Sequence, residues 1–284
     1  MLHLDASIPA ALAHTRRRAS LLSVSDDRAR AAMNRRTGSR GGMRRGGGGV
    51  PVDAAEAAIN AVSGLVVNLD ARDLSAGAIT HWFDRKYGYD FAGTATRNAA
   101  INGQPTVSGN GTTDILTSTA AISQISGSQA VTVVAVMQDT FVAAATGIPL
   151  DYGSGVAGTF LISIAPADSK MYGSCTGNAG QTYAAFVETL ASPHVLSFVM
   201  DMSLPAATEC ATIRRDGAAV ATTPGGPNNT GTYASNTLSL LSRIGSLYWS
   251  GSIAKLLIYS RALTAGEMQQ IERACGLLTG ILVA

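Results

Sequence analysis

The chain has 284 residues, enough for one large β domain or two smaller ones; only 14% are charged, and 31 are glycine. That balance suits short strands and turns and excludes a helical bundle with long solvated faces. The net charge of +2 conceals a split: residues 1–50 hold ten Arg against three Asp, a net +7, while the remaining 234 residues hold 11 basic and 16 acidic side chains, a net −5.

No run approaches the roughly 18 apolar residues that cross a bilayer, so no membrane partner is expected. Arg16, Arg17 and Arg18 follow the weakly apolar N-terminal stretch instead of preceding it, so the pattern does not read as a signal peptide. Cys175, Cys210 and Cys275 cannot all pair within one chain and form no CxxC or Cys/His ligand spacing. They are expected as buried thiols.

In chain order, residues 1–50 read as an Arg/Gly-rich anchoring arm carrying Arg16, Arg17, Arg18, Arg28, Arg30, Arg35, Arg36, Arg40, Arg44 and Arg45. A short helix over 26–34, capped by Ser25, is its one periodic piece, and Gly46 to Gly49 form a joint. Arg suits carboxylates and phosphates alike. No aromatic interleaves with these arginines, so a protein partner is expected ahead of nucleic acid.

Residues 51–63 read as a short Ala-rich helical linker, with Asp53 and Glu56 at capping-box spacing. Strands are then expected near 65–70, 79–84, 89–92, 105–108 and 113–117, separated by Gly, Asn and Pro. The β-branched run Val131 to Met137 reads as a central strand. Further strands are expected near 147–151, 158–165, 169–174, 181–187 and 194–202. Cys210 to Arg215, Asp216-Gly217 and Ala218 to Thr222 form a hairpin with a type I′ turn.

The last strands are expected near 236–242 and 252–260. In the latter, strict alternation places Ile253, Lys255, Leu257 and Tyr259 on one face and Ala254, Leu256 and Ile258 on the other. Thr264 and Glu267 stand three apart, the spacing of a capping box, and a helix begins at about Ala265. Leu263 and Met268 form its staple, and Met268, Ile271, Cys275 and Leu278 its apolar stripe. The apolar tail Gly276 to Ala284 is expected to pack back as an edge strand, with insertion into a partner as the alternative.

The pattern Trp249-x-Gly251-x-Ile253-x-x-Leu256-x-Ile258-Tyr259-x-Arg261-Ala262-Leu263-Thr264-x-x-Glu267 resembles the closing strand and helix of concanavalin A-like lectin/glucanase domains of the laminin-G (LamG) type. Gly64 to Ala71 followed by Trp82-x-Asp84 resembles their opening. Asn102-Gly103-Gln104-Pro105-Thr106-Val107, with Gly111-Thr112-Thr113-Asp114-Ile115-Leu116, is similar to a segment between. The resemblance implies an all-β, antiparallel two-sheet jelly-roll sandwich over 64–284 with a short C-terminal helix. It also implies framework roles for Trp82 and Asp84.

The same fold hosts glycosidases, whose Glu-x-Asp-x-x-Glu strand points acidic groups into one cleft. None of Glu56, Glu188, Glu209, Glu267 or Glu272 begins such a motif, and His3, His14, His81 and His194 show neither HExxH spacing nor an evident Asp or Ser partner. No enzyme activity is expected. No cofactor is expected either: calcium would have to use the Asp/Asn loops at Asp201 or Asn228 and Asn229, which lack EF-hand spacing.

Sugar sites combine exposed aromatics with Asp or Asn on loops. The segment His81 to Asp90 holds both types, and Tyr87, Tyr89 and Asp90 are its candidates for carbohydrate binding. Jelly-roll modules with extended arms resemble virion components, particularly bacteriophage capsid decoration or fibre proteins. The expectation is a non-enzymatic virion structural protein assembled in the host cytoplasm. Its arm would engage capsid, portal or tail subunits, its sandwich would stand ready for a cell-surface glycan, and it would be a homo-oligomer within the assembly. The alternatives are a carbohydrate-binding module of a bacterial surface protein and a coat protein whose arm binds nucleic acid.

Overall fold

A computed structural model describes residues 52–140, 146–153, 155–165, 169–187, 191–204, 206 and 208–284. The arm of residues 1–50, with its ten arginines and the helix expected over 26–34, lies outside the described residues. So does the side chain of Asp53.

Helix α1 (Val52–Ala61) opens the described chain. Strands β1 (Leu65–Asp70), β2 (Gly77–Phe83), β3 (Asp90–Ile101), β4 (Gln104–Asn110), β5 (Ile115–Ser118), β6 (Ala130–Asp139), β7 (Gly147–Tyr152) and β8 (Thr159–Ala165) follow. Then come β9 (Lys170–Gly177), β10 (Gly180–Val187), β11 (His194–Asp201), β12 (Ala211–Arg215), β13 (Ala218–Ala219), β14 (Thr223–Gly225), β15 (Leu238–Leu240), β16 (Ser250–Tyr259) and helix α2 (Ala265–Thr279).

Every pairing among the described strands is antiparallel. They form one hydrogen-bonded ribbon, β13-β12-β11-β6-β16-β4-β3-β5-β15-β7-β8-β9-β10-β14, folded into a sandwich. The turning point is β3, whose first half pairs with β5 and whose second half pairs with β4. Far along the ribbon the layers meet face to face: a Cβ on Gly173 of β9 would lie 2.7 Å from the Phe198 ring of β11. The missing side chain at Gly173 is what lets that ring in.

Two cores result. The main one lies between the layers and includes Trp82, Phe91, Val133, Phe160, Phe198, Trp249, Leu256 and Ile258. The second lies on the outer face of β16, β6 and β11 beneath both helices and includes Ile59, Val134, Val195, Leu257, Tyr259, Ile271 and Leu278. Strand β16 is therefore buried on both faces, which explains its almost uninterrupted apolar sequence. As expected, β6 is central, between β11 and β16.

Strict alternation fails along β16. The register slips between Ile253 and Lys255, so one extra residue faces the partner strand. Ile253 consequently shares the main core with Leu256 and Ile258, while Ala254, Leu257 and Tyr259 face the helices. The sequence pattern had grouped Ile253 with Lys255, and the bulge is the reason it does not belong there.

Helix α2 starts where its signals place it. Thr264 caps it, with Glu267 N–H donating to Thr264 Oγ1 (3.3 Å) and Thr264 N–H donating back to the Glu267 carboxylate (2.9 Å). Arg261 holds that carboxylate at 2.6 Å and also donates to Ser63 O and Oγ, fastening the helix entrance to the start of β1. The Arg261 bond first, and then the Thr264 amide, bring the Glu267 carboxyl down to about 2. At Gly251, an added Cβ would run into the Trp249 indole, so the Trp-x-Gly spacing has a steric cause.

The tail departs from expectation. Residues 276–279 belong to α2, Gly280 ends it in the left-handed conformation, and residues 281–284 form no strand. Ile281 and Val283 pack on the second core, and Ala284 N–H donates to Asp216 O at 3.0 Å. The Asp216-Gly217 turn has the positive φ angles expected at both positions (50° and 88°), but its second strand is only two residues long before the chain crosses to pair with β10.

Helix α1, read from the sequence as a linker, packs Ala55 and Ile59 into the second core, and Val62 just after it follows. Its Glu56 enters an ionic cluster built around the buried Lys255 and Asp70. Lys255, 1% exposed, sits directly across the strand pair from Asp70, also 1% exposed. Lys255 Nζ lies 2.8 Å from Asp70 Oδ2 and 2.9 Å and 3.2 Å from the two Glu56 oxygens, so all three ammonium protons have acceptors. Arg72 pairs with Asp70 and Glu56, and Arg85 pairs with Asp70, Glu56 and Asp73. Three cations thus face three carboxylates.

Burial alone would raise the Asp70 pKa, but the Arg72 hydrogen bond and the Lys255 and Arg85 charges outweigh it, holding the carboxyl far below its usual range. A depressed folded pKa stabilises the fold above the unfolded value of about 3.9, and that contribution is lost as pH falls below it. Asp70→Asn is therefore expected to cost about 3 kcal/mol or more at pH 7 and to flatten the decline in urea midpoint below about pH 4. Asp70→Asn combined with Lys255→Met should cost less than the two single changes summed, because no uncompensated charge is left inside.

All three cysteines are buried thiols outside any disulfide. Cys175 and Cys210 meet thiol to thiol across the layers, and burial pushes Cys275 up to about 12. A disulfide-forming thiol reagent should find no reactive cysteine in the native chain and three after denaturation.

Candidate functional site

The segment from His81 to Asp90 forms the end of β2, a turn and the start of β3. Trp82 points into the main core and donates from Nε1 to Asp70 O at 3.2 Å. Asp84 is buried and accepts from the amides of Asn68 and Tyr87, closing the turn, while Gly88 supplies its left-handed residue. These are the framework roles that the resemblance implied. Arg85 ties the same turn to the central ionic cluster, so the platform is rigidly mounted.

The three expected sugar-binding residues do not form one site. Tyr89 packs partly against the main core and its hydroxyl donates to Gln124. Tyr87 is 54% exposed and meets Tyr89 edge-on, with ring centroids 6.3 Å apart. Asp90 is turned the other way. It pairs in register with Phe83, and alternation puts both side chains on the outer face of the hairpin, opposite Trp82 and Phe91.

On that outer face the structure places two residues that the sequence reading passed over. Phe83 is 55% exposed, and the His81 ring lies parallel to it, 6.0 Å between centroids and 9° between planes. His81 Nδ1 sits 3.0 Å and 3.1 Å from the two Asp90 oxygens. The register slips between Ile79 and His81, so Ile79 and Trp82 both face inward while His81 and Phe83 face out. An alternating pattern would have buried Phe83 with Ile79. The arrangement joins an exposed apolar ring, a carboxylate and an imidazole on a rigid edge hairpin, which is the chemistry that stacks on the apolar face of a sugar and hydrogen-bonds its hydroxyls.

His81 and His194 are better partnered than their sequence positions indicated. His194 Nδ1 lies 2.6 Å from Asp216, which also accepts from the Val195 amide. Asp201 accepts from Ser203, and Asn229 accepts from the Ala179 and Thr230 amides while donating to Gly180 O. These loop side chains brace backbone. Among the described residues, no group of three or more His, Cys, Asp or Glu side chains converges as a metal site. Among them also, no helix is long and apolar enough to cross a membrane.

No family model matches the sequence, and no curated protein matches it. Solved structures do share its fold. The sialidase of Trypanosoma rangeli in complex with the inhibitor DANA is 15% identical with a TM-score of 0.52, the match covering 74% of this chain and 33% of that one. The binding domain of botulinum neurotoxin DC in complex with SialylT is 12% identical with a TM-score of 0.54, over 77% of this chain and 52% of that one. The same domain in complex with rat synaptotagmin II is 11% identical with a TM-score of 0.53. The chain thus spans about a third of the sialidase and about half of the neurotoxin domain. At these identities what is shared is the fold: an antiparallel β-sandwich.

Proposed function

We propose that the sandwich is a glycan-binding module that recognises sugars without hydrolysing them. The observation that carries this reading is the exposed His81–Phe83 stack beside Asp90 on the outer face of the β2–β3 hairpin. Proteins that share the fold have been crystallised with sialic acid and with SialylT, which fits a carbohydrate ligand. Binding rather than hydrolysis is the reading we favour because most glycoside hydrolases use two carboxylates facing each other across the scissile bond, sialidases with a tyrosine nucleophile being an exception. Here Glu56, Asp70 and Asp73 are held by the central cations, Glu267 by Arg261, Glu272 by Arg214 and Asp90 by His81.

The domain type we infer is LamG-like. Trp249 with Gly251, Arg261 with Glu267, and Trp82 with Asp84 all hold the frame together, as expected of positions that define a fold rather than a ligand. The module is further proposed to be carried on a virion through the ten arginines of residues 1–50. The chain enters the sandwich through α1, which the Glu56 contacts lock in place, so an arm attached there would have a firm mount.

On a glycan array, the full chain should bind, and Phe83→Ala or His81→Ala should weaken capture about tenfold, the effect of losing one stacking contact. Neither change should lower the melting temperature much, since both side chains are exposed. Binding that survives both changes undamaged would exclude this face as the site. Removing residues 1–49 should abolish incorporation into particles while leaving a folded β domain. Incorporation by the shortened chain would rule out the anchoring role.

A further inference from the structure

The two ends of the strand ribbon, β13 and β14, lie in opposite layers, and among the described residues no ladder joins them. At this end the layers are held by what meets between them. They come close there: facing sheets ordinarily stand about 10 Å apart, yet Cα atoms of β12 in one layer lie within 8 Å of Cα atoms of β9 and β10 in the other.

Two cysteines sit between those strands. Cys175 faces inward from β9 and Cys210 faces inward just before β12; both belong to the main core, and both are 0% exposed. Their thiols hydrogen-bond to each other across the layers. Thr182, directly opposite Cys175 in the β9–β10 pair, also bonds to Cys210. Tyr233, whose hydroxyl donates to Met200 O at 3.0 Å, lies against Cys175 and closes the pocket around the pair. Cys275 is elsewhere, on α2 in the second core. The molecule therefore holds one facing pair of thiols and one single thiol.

We propose that Cys175 and Cys210 form a redox latch: they join as a disulfide when the chain folds in the presence of a small-molecule disulfide, and remain thiols when it folds under reducing conditions. One cysteine thiolate attacks the S–S bond of the reagent, forming a mixed disulfide and releasing one small thiolate. The other attacks the protein sulfur of that mixed disulfide and releases the second. Two protein thiols thus lose two protons and two electrons, and one small disulfide becomes two small thiols. The bond bridges the layers where the ribbon's ends leave them unpaired. It closes a loop that holds β10 of one layer and β11 of the other, so the sandwich cannot open at this end while the bond lasts. Because neither sulfur reaches solvent once the chain has folded, the state set during folding is kept afterwards. The latch is independent of the glycan-binding reading.

The test refolds the full chain from a denatured, reduced state in two buffers, one with dithiothreitol and one with a mixture of reduced and oxidised glutathione. After the second, the thiol count in denaturant should fall from three to one, and a peptide map without reductant should join the segments that carry Cys175 and Cys210. The oxidised form should melt roughly 5–10 °C above the reduced form. Cys210→Ala should erase that difference, and Cys275→Ala should preserve it. Chain already folded with its thiols reduced should keep all three in oxidised glutathione over the time in which refolding chain loses two. Three thiols after oxidising refolding, a bridge to Cys275, glutathione retained on Cys175 or Cys210 in place of a bridge, or equal melting temperatures for the two forms would overturn the proposal. So would folded chain that oxidises as fast as refolding chain. Should Cys210→Ala fail to fold, the peptide map of the unaltered chain still decides.

Discussion

A lysine ammonium enclosed in a sheet cannot be left without acceptors, and the position of Lys255 governs much of this architecture. A charge that far from water costs several kcal/mol unless it is paired and its protons are satisfied. Here the acceptors come from two separate pieces of chain, and two arginines balance them. Asp70 is its cross-strand partner in β1, Glu56 reaches down from α1, and Arg72 and Arg85 neutralise the excess negative charge those carboxylates create. The helix and the β2–β3 turn are therefore fixed to the central strand by charge as well as by apolar contact. Moving either one would strand a buried ion. Such networks add less to net stability than their contact distances imply, since desolvation offsets most of the attraction, but they discriminate strongly against misplaced alternatives.

The bulge at Ala254 is part of the same solution. Without the slip, alternation would send Lys255 to the same side as Ile253, into the main core, where Leu256 and Ile258 now sit and where no carboxylate is available. With it, the ammonium reaches the helix side and meets Glu56. The sequence showed a lysine in an otherwise apolar strand but offered no way to see the extra residue, because a bulge is written in the pairing of two strands and not in either strand alone.

That distinction separates what could be read in advance from what could not. Thr264 and Glu267, the Asp216-Gly217 turn and the Val131 to Met137 run each act within a few residues, and each forms the element its local chemistry dictates. The Trp82 and Asp84 roles were legible through resemblance. The site was only partly so. Asp90 was singled out, but its partner His81 is nine residues away and is brought opposite it by hairpin register, while the slip at Ile79 exposes Phe83. Tyr89 carried the right chemistry for a sugar and was diverted to the core and to Gln124.

The candidate surface lies where the ribbon stops pairing, and there is a physical reason for this. The central strands are covered on both faces, so any polar side chain placed there must be matched at once, as Lys255 is. Strand β2 pairs only with β3, and β13 and β14 are the ribbon's two ends. Only at such margins can an exposed aromatic be kept without an internal counterpart. In a domain whose interior is this apolar, exposed rings and polar side chains are confined to the edges, and the charges around Lys255 hold one of those edges, the β2–β3 hairpin, in place through Arg85.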